Sequence, residues 1–240
     1  MGEHPRRPVR VVSHVRVRTG LERLLGEAGQ LKGRALGLVV HPASVTSDLR
    51  LSPDALLAAG FDLRALFGPQ HGARGEKQDN MIESGHYADP VTGLPVHSLY
   101  SDVRKPTPEM LEGLDALVFD LQDVGVRVYM FVWTMALAME ACAEVGIPFV
   151  VLDRPNPVGG LSREGPVLRE GFESFVGLHP IPLRHGLTCG ELALWLNETR
   201  GIGCDLQVIR CEGGRRWMSW PDTGLPWVMP SPNMPTLDTA

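Results

Sequence analysis

Four short apolar runs, each closed at its C-terminal side by a dense polar cluster, limit what this 240-residue chain can fold into. Residues 36–40 lead into His41-Pro42-Ala43-Ser44, and residues 63–67 into Gly68-Pro69-Gln70-His71-Gly72. Residues 116–119 lead into Asp120-Leu121-Gln122-Asp123, and residues 149–152 into Asp153-Arg154-Pro155-Asn156-Pro157. Continuous apolar runs of this length suit strands buried on both faces of a parallel sheet. In open α/β sheets, ligands bind outside the carboxyl ends of such strands. Four strand ends bearing carboxylates, imidazoles and amides therefore predict one converging site, and an enzyme.

Helical patterns alternate with these runs. Ser52-Pro53 predicts a helix through Ala58, with Ser52 as N-cap, Pro53 in the first helical position and Gly60 closing it. Thr107-Pro108-Glu109 opens another helix, ending near Gly113. Residues 128–145 read as the longest helix, apolar over most of its circumference and stopped by Gly146-Ile147-Pro148. Thr188-x-x-Glu191 is a capping-box pattern for a helix through Asn197, and residues 206–209 read as a last strand. This alternation gives the α/β class: an open, mostly parallel sheet with helices on both faces and right-handed crossovers. Residues 68–96 show little periodicity and are expected to form a site-covering loop. The Val-Arg alternation over residues 9–17 suggests an exposed edge strand. The expected division is an N-terminal extension with a short helix over residues 1–34, then one catalytic domain over residues 35–240.

Composition removes several classes. A net charge of −5 with 43% hydrophobic residues gives no nucleic-acid footprint. No run approaches the ~18 apolar residues of a membrane span. The basic N-terminus has no apolar segment behind it, so no secretory signal is read and a cytoplasmic location is expected. The four cysteines form no Cys-x-x-Cys pair, which fits reduced thiols.

A set of longer motifs carries a family resemblance. It comprises Pro69-Gln70-His71-Gly72, Thr92-Gly93-Leu94-Pro95-Val96, Phe119-Asp120-Leu121-Gln122-Asp123-Val124-Gly125-Val126-Arg127 and Leu152-Asp153-Arg154-Pro155-Asn156-Pro157. Glu164-Gly165-Pro166, His185-Gly186-Leu187-Thr188 and Pro230-Ser231-Pro232-Asn233-Met234-Pro235 complete it. In these residues the chain resembles the NamZ-type exo-β-N-acetylmuramidases, which remove N-acetylmuramic acid from the non-reducing ends of peptidoglycan fragments. The resemblance implies a Rossmann-like N-terminal domain, a muropeptide substrate, no required cofactor and a role in cell-wall recycling. Two departures accompany it. The family's proteins continue past the Ser-Pro-Asn-Met-Pro motif into a C-terminal domain, and they often carry Glu where this chain has Gln70.

Glycoside hydrolysis calls for carboxyl groups flanking the scissile bond. Glu164, Asp120 and Asp123 are the catalytic candidates, with Asp153 a further carboxylate. Of Asp120 and Asp123, one is expected to face the crevice while the other braces the loop. Glu164 qualifies as general acid if a low-dielectric pocket raises its pKa. A substrate-assisted route, in which an Asp orients the sugar's own acetamido group, stays open. The lactyl carboxylate of N-acetylmuramic acid calls for a fixed cation, for which Arg154, Arg127 and Arg184 are candidates in that order. Gln70, His71, Gln122, Asp153, Asn156, His185 and Asn233 complete the expected substrate site. Trp217 and Trp220 read as an apolar seam more readily than as sugar platforms. Two alternatives stand beside the glycosidase. One is a metal-dependent hydrolase using His71, His185, Asp120, Asp123 and Asp153, although no His-Glu-x-x-His spacing occurs. The other is an inactive or truncated muropeptide-binding domain.

Overall fold

The computed structural model describes residues 16–27, 29–75 and 85–231. A seven-stranded sheet runs through it, with β1 (Ala35–Val40), β2 (Asp62–Gly68), β3 (Tyr87–Ala88), β4 (Pro95–Ser98), β5 (Ala116–Asp120), β6 (Phe149–Leu152) and β7 (Leu206–Ile209). Their order is β3-β4-β2-β1-β5-β6-β7. Only the β3–β4 pairing is antiparallel. The parallel strands run outward from β1 to β2 and β4, then return to β1 and continue through β5, β6 and β7. This is the Rossmann-like arrangement, and its order reverses between β1 and β5.

Strand alternation feeds two cores, one on each face. Leu36, Leu38 and Val40 of β1, with Val118, Val150 and Leu152, pack against α1 (Gly20–Gly26) and α2 (Ser52–Ala58) through Leu21, Leu24 and Leu56. Val39, Leu117, Phe119, Phe149 and Val151 point to the opposite face. There they meet α3 (Pro108–Leu111), α4 (Phe131–Val145) and α5 (Cys189–Thr199). Side chains of period two are what a doubly covered sheet requires. The register shifts opposite Leu36 and Gly37, where Arg64 is passed over and stays exposed. That bulge lets Leu63 face one core and Ala65 the other.

Several boundaries differ from the sequence expectations. α4 begins at Phe131, because residues 126–130 form a turn in which the Tyr129 N–H bonds the Val126 carbonyl at 3.1 Å. Its end is as expected: Gly146 takes φ 76°, a left-handed cap that suits glycine. Ser52 lies inside α2 instead of capping it, and its hydroxyl is buried without a partner among the described residues. Within the 68–96 stretch the described residues include β3 and the start of β4, which joins the sheet beside β2. α1 carries its own capping box, Thr19 with Glu22, and its Leu21 and Leu24 are core residues. Of the expected edge strand, residues 9–15 lie outside the described residues. Val17 is buried, and Arg18 bridges Glu212 in antiparallel fashion.

Candidate active site

The carboxyl ends of β1, β2, β5 and β6 bring His41, Gln70, His71, Asp120, Gln122, Asp123, Asp153, Arg154 and Asn156 to one end of the sheet, at the point where strand order reverses. The two Asp residues after β5 are in different situations. Asp120 is fully buried and held by a two-pronged ion pair from Arg154, with Nε–Oδ1 at 2.7 Å and Nη2–Oδ2 at 2.9 Å. Arg154 Nη2 also donates to the Val45 carbonyl at 3.1 Å, and the Ser44 hydroxyl bonds the Asp120 carbonyl. Burial works to lower the Arg154 pKa, but the Asp120 charge and hydrogen bonds prevail and hold it above the ordinary value. This pair locks the loops after β1, β5 and β6 together.

Asp123 is buried. Its Oδ2 accepts the Gly125 N–H at 2.8 Å and faces His185 Nε2 at 3.0 Å. The other ring nitrogen of His185 accepts the Leu187 N–H at 3.2 Å, so the proton sits on Nε2 and donates to Asp123. Asp123 Oδ1 is buried with no partner among the described residues, and so is Gln122 Oε1. Two unfilled acceptors at a strand end mark a place prepared for a donor. Gly125 is required here: at φ 82°, a Cβ would lie 2.4 Å from Asn156 Oδ1.

Tyr129 lies near Asp123, and His41 and His71 follow β1 and β2 at the same end of the sheet. His41 packs against Phe131 with ring centroids 4.9 Å apart and lies 6.4 Å from the His71 ring. Burial, then the neighbouring His71, lowers its pKa to about 3, so it remains neutral. His71 takes φ 73° and faces the Ser231 hydroxyl at 3.4 Å. Tyr129 donates its hydroxyl to the Pro230 carbonyl at 2.6 Å. Its pKa is raised well above normal, by burial and then by the Asp123 charge.

Comparison with known proteins decides the family. The family model described as exo-β-N-acetylmuramidase NamZ, N-terminal, matches residues 36–238. The chain is 52% identical over 226 residues to the peptidoglycan β-N-acetylmuramidase NamZ of Bacillus subtilis strain 168. The chain belongs to the NamZ family. That match covers 93% of this chain and 54% of the relative, so the chain spans about half the length of the curated protein. Two crystal structures of DUF1343 family proteins from Bacteroides fragilis NCTC 9343 share the fold. One has TM-score 0.85 and 44% identity over 94% of this chain and 58% of its own. The other has TM-score 0.72 and 35% identity over 84% of this chain and 54% of its own.

The remaining NamZ-motif residues fall into distinct places. Glu164 is exposed, with 61% of its side chain accessible, and pairs with Arg184 at 3.0 Å. In the described residues no low-dielectric pocket surrounds it. Val126, Arg184 and Glu164 are bridged side by side, whereas His185 is the next residue along an extended segment. Arg184 also donates to the Val158 carbonyl. Arg127 Nη1 donates to the carbonyls of Pro166 and Ile181, both at 2.7 Å, and so staples two loops. Asn156 is a staple too, with Nδ2 on the Leu187 carbonyl at 2.9 Å and Oδ1 accepting the Val158 N–H at 3.1 Å. Gln70 is half-buried after β2. Asn233 lies outside the described residues.

Asp153 sits one strand away, at the N-terminus of α5. It accepts the Gly190 N–H at 2.8 Å and the Thr188 hydroxyl at 3.0 Å. Burial raises its pKa to about 6 against those lowering bonds. Among the described residues no three His, Cys, Asp or Glu side chains are grouped to hold a metal ion. Trp220 is buried and packs edge-on against Trp227 with centroids 5.0 Å apart, while Trp217 is exposed. His41 and Tyr129 were not among the residues selected from sequence. His41 follows β1 directly and obeys the strand-end rule; Tyr129 lies in the turn that reads as helix.

Proposed function

We propose that this chain carries the reacting-sugar site of an exo-β-N-acetylmuramidase, a glycosidase that releases N-acetylmuramic acid from the non-reducing end of peptidoglycan fragments. Membership of the NamZ family supports the reaction. The observation that carries the site is the Asp123–His185 pair, with its unfilled Asp123 Oδ1 at the point where strand order reverses. Asp120 is neutralised by Arg154 and Asp153 by the start of α5, so Asp123 is the carboxylate left to serve chemistry.

In this reading Asp123 acts on the reacting sugar through Oδ1, as a base toward water or as the group that orients the acetamido N–H. His185 and the Gly125 N–H hold its other oxygen, which fixes the carboxylate's direction. Gln122 Oε1 accepts a sugar hydroxyl, and the neutral His41 with His71 lines the opposite wall. Gln70 and Asn233 remain proposed substrate contacts. No cofactor or metal enters any step. Cell-wall recycling in the cytoplasm belongs to the same proposal; the free state of all four cysteines fits a reducing compartment.

The test is release of a chromogenic aglycone from a β-N-acetylmuramide, with the matching N-acetylglucosaminide as control. Release from the muramide alone is expected. Release from neither by the folded chain, or from both equally, contradicts the reading.

A further inference from the structure

At the carboxyl ends of β6 and β7 lies a cavity of about 280 Å³. Its volume is at the small end for ligand pockets and suits one substituted pyranose ring. Its lining includes the polar residues Asp153, Thr188 and Asn156. Gly190 brings bare backbone to one wall; a Cβ there would lie 2.5 Å from Val208 and 2.9 Å from the Asp153 carboxyl carbon. Leu194 and Met218 add an apolar patch of the kind a sugar face needs.

The charges of the lining do not cancel. Glu191 is matched by Arg216 at 2.6 Å, and both Asp153 oxygens accept hydrogen bonds at the start of α5. Arg210 and Arg215 remain at the mouth. Among the described residues the Arg215 guanidinium reaches only the carbonyl of its neighbour Gly214, at 2.9 Å. The Arg210 guanidinium has no hydrogen-bond or ion-pair partner among the described residues. Two uncommitted forks in a lining with these polar residues match a ligand with hydroxyls on one side and a carboxylate on the other.

We propose that this cavity is a subsite for an acidic monosaccharide, a pyranose bearing one carboxylate, with its hydroxyls on Asp153 and Thr188 and its carboxylate on Arg210 and Arg215. The proposal rests on the muramidase reading for the identity of that sugar, since N-acetylmuramic acid has this chemistry.

The experiment is calorimetric titration of N-acetylmuramic acid and N-acetylglucosamine into the chain and into an Arg210→Gln/Arg215→Gln variant. Both positions are exposed, so the fold should be kept, and circular dichroism checks it. The wild-type chain is expected to prefer the acidic sugar, and the variant to lose about tenfold in its affinity while binding the neutral sugar unchanged. Equal binding of both sugars by the wild type, or unchanged binding of the acidic sugar by the variant, overturns the proposal. Steady-state kinetics on the β-N-acetylmuramide separate the two origins of the ligand. If the substrate's own sugar fills the cavity, the variant raises KM; if free acidic sugar fills it, KM holds and product inhibition is lost. Turnover by the wild type with unchanged variant binding sinks this inference alone. Carboxylate-selective binding without turnover sinks the catalytic reading alone.

Discussion

His185 Nε2 donates to Asp123 Oδ2 at 3.0 Å while Asp123 Oδ1 stays buried and unfilled. One oxygen is thus fixed by protein donors and the other is reserved. His185→Ala is expected to lower kcat on a β-N-acetylmuramide by on the order of 10²-fold with KM little changed. His185→Gln, which retains an N–H donor, should recover part of that loss. A fall confined to KM, or no recovery with Gln, would show that His185 does not act by orienting Asp123.

The Arg154–Asp120 pair is a brace buried where the strand order reverses. Removing one member strands the other's charge, which typically costs about 3–5 kcal/mol. Arg154→Met or Asp120→Leu alone should lower the midpoint of thermal unfolding by roughly 10 °C, and the double variant should recover most of it. Equal losses that simply add in the double variant would refute the brace.

Glu164 and Arg184 form an exposed pair, and such pairs contribute about 0–1 kcal/mol. Glu164→Gln is therefore expected to leave thermal stability and turnover close to wild type, within about twofold in kcat. Loss of turnover with binding spared would instead place Glu164 in the chemistry.

Two buried groups give opposite pH signatures. The Asp153 pKa is raised to about 6, so the folded state favours its protonated form. That contribution is complete below pH 4 and is lost as pH rises through 6. The His41 pKa is lowered to about 3, so its contribution is complete above pH 6.5 and is lost as pH falls toward 3. Chemical unfolding of Asp153→Asn between pH 4 and 8 should show the variant gaining stability relative to wild type as pH rises. His41→Gln should gain relative to wild type as pH falls. A pH-independent difference for either variant contradicts the corresponding burial argument.

The fold was largely legible because its strands are apolar on both sides. β1, β2, β5 and β6 stand out as unbroken runs, and each polar cluster marks a strand end. β4 was missed because Pro95-Val96-His97-Ser98 is short and half-polar, and its pairing partner β2 is distant in sequence. The start of α4 was misplaced because Val128 and Tyr129 continue its apolar composition while occupying a turn. The site was legible as a set of positions and much less as a set of roles. Asp120 and Asp123 are three residues apart in one motif. What separates them is Arg154, which reaches across from β6, and His185, which arrives from a loop 62 residues downstream of Asp123. Glu164 fits its motif as well as any other residue, and its exposure beside Arg184 could not be read from that motif.

The most direct measurement is turnover of a β-N-acetylmuramide by Asp123→Asn beside the wild-type chain, with sugar affinity measured on the same samples. Asn keeps the Gly125 contact and the shape of the side chain but carries no charge on Oδ1. The account predicts loss of at least about 10²-fold in kcat with affinity retained. Turnover within twofold of the wild type would contradict it.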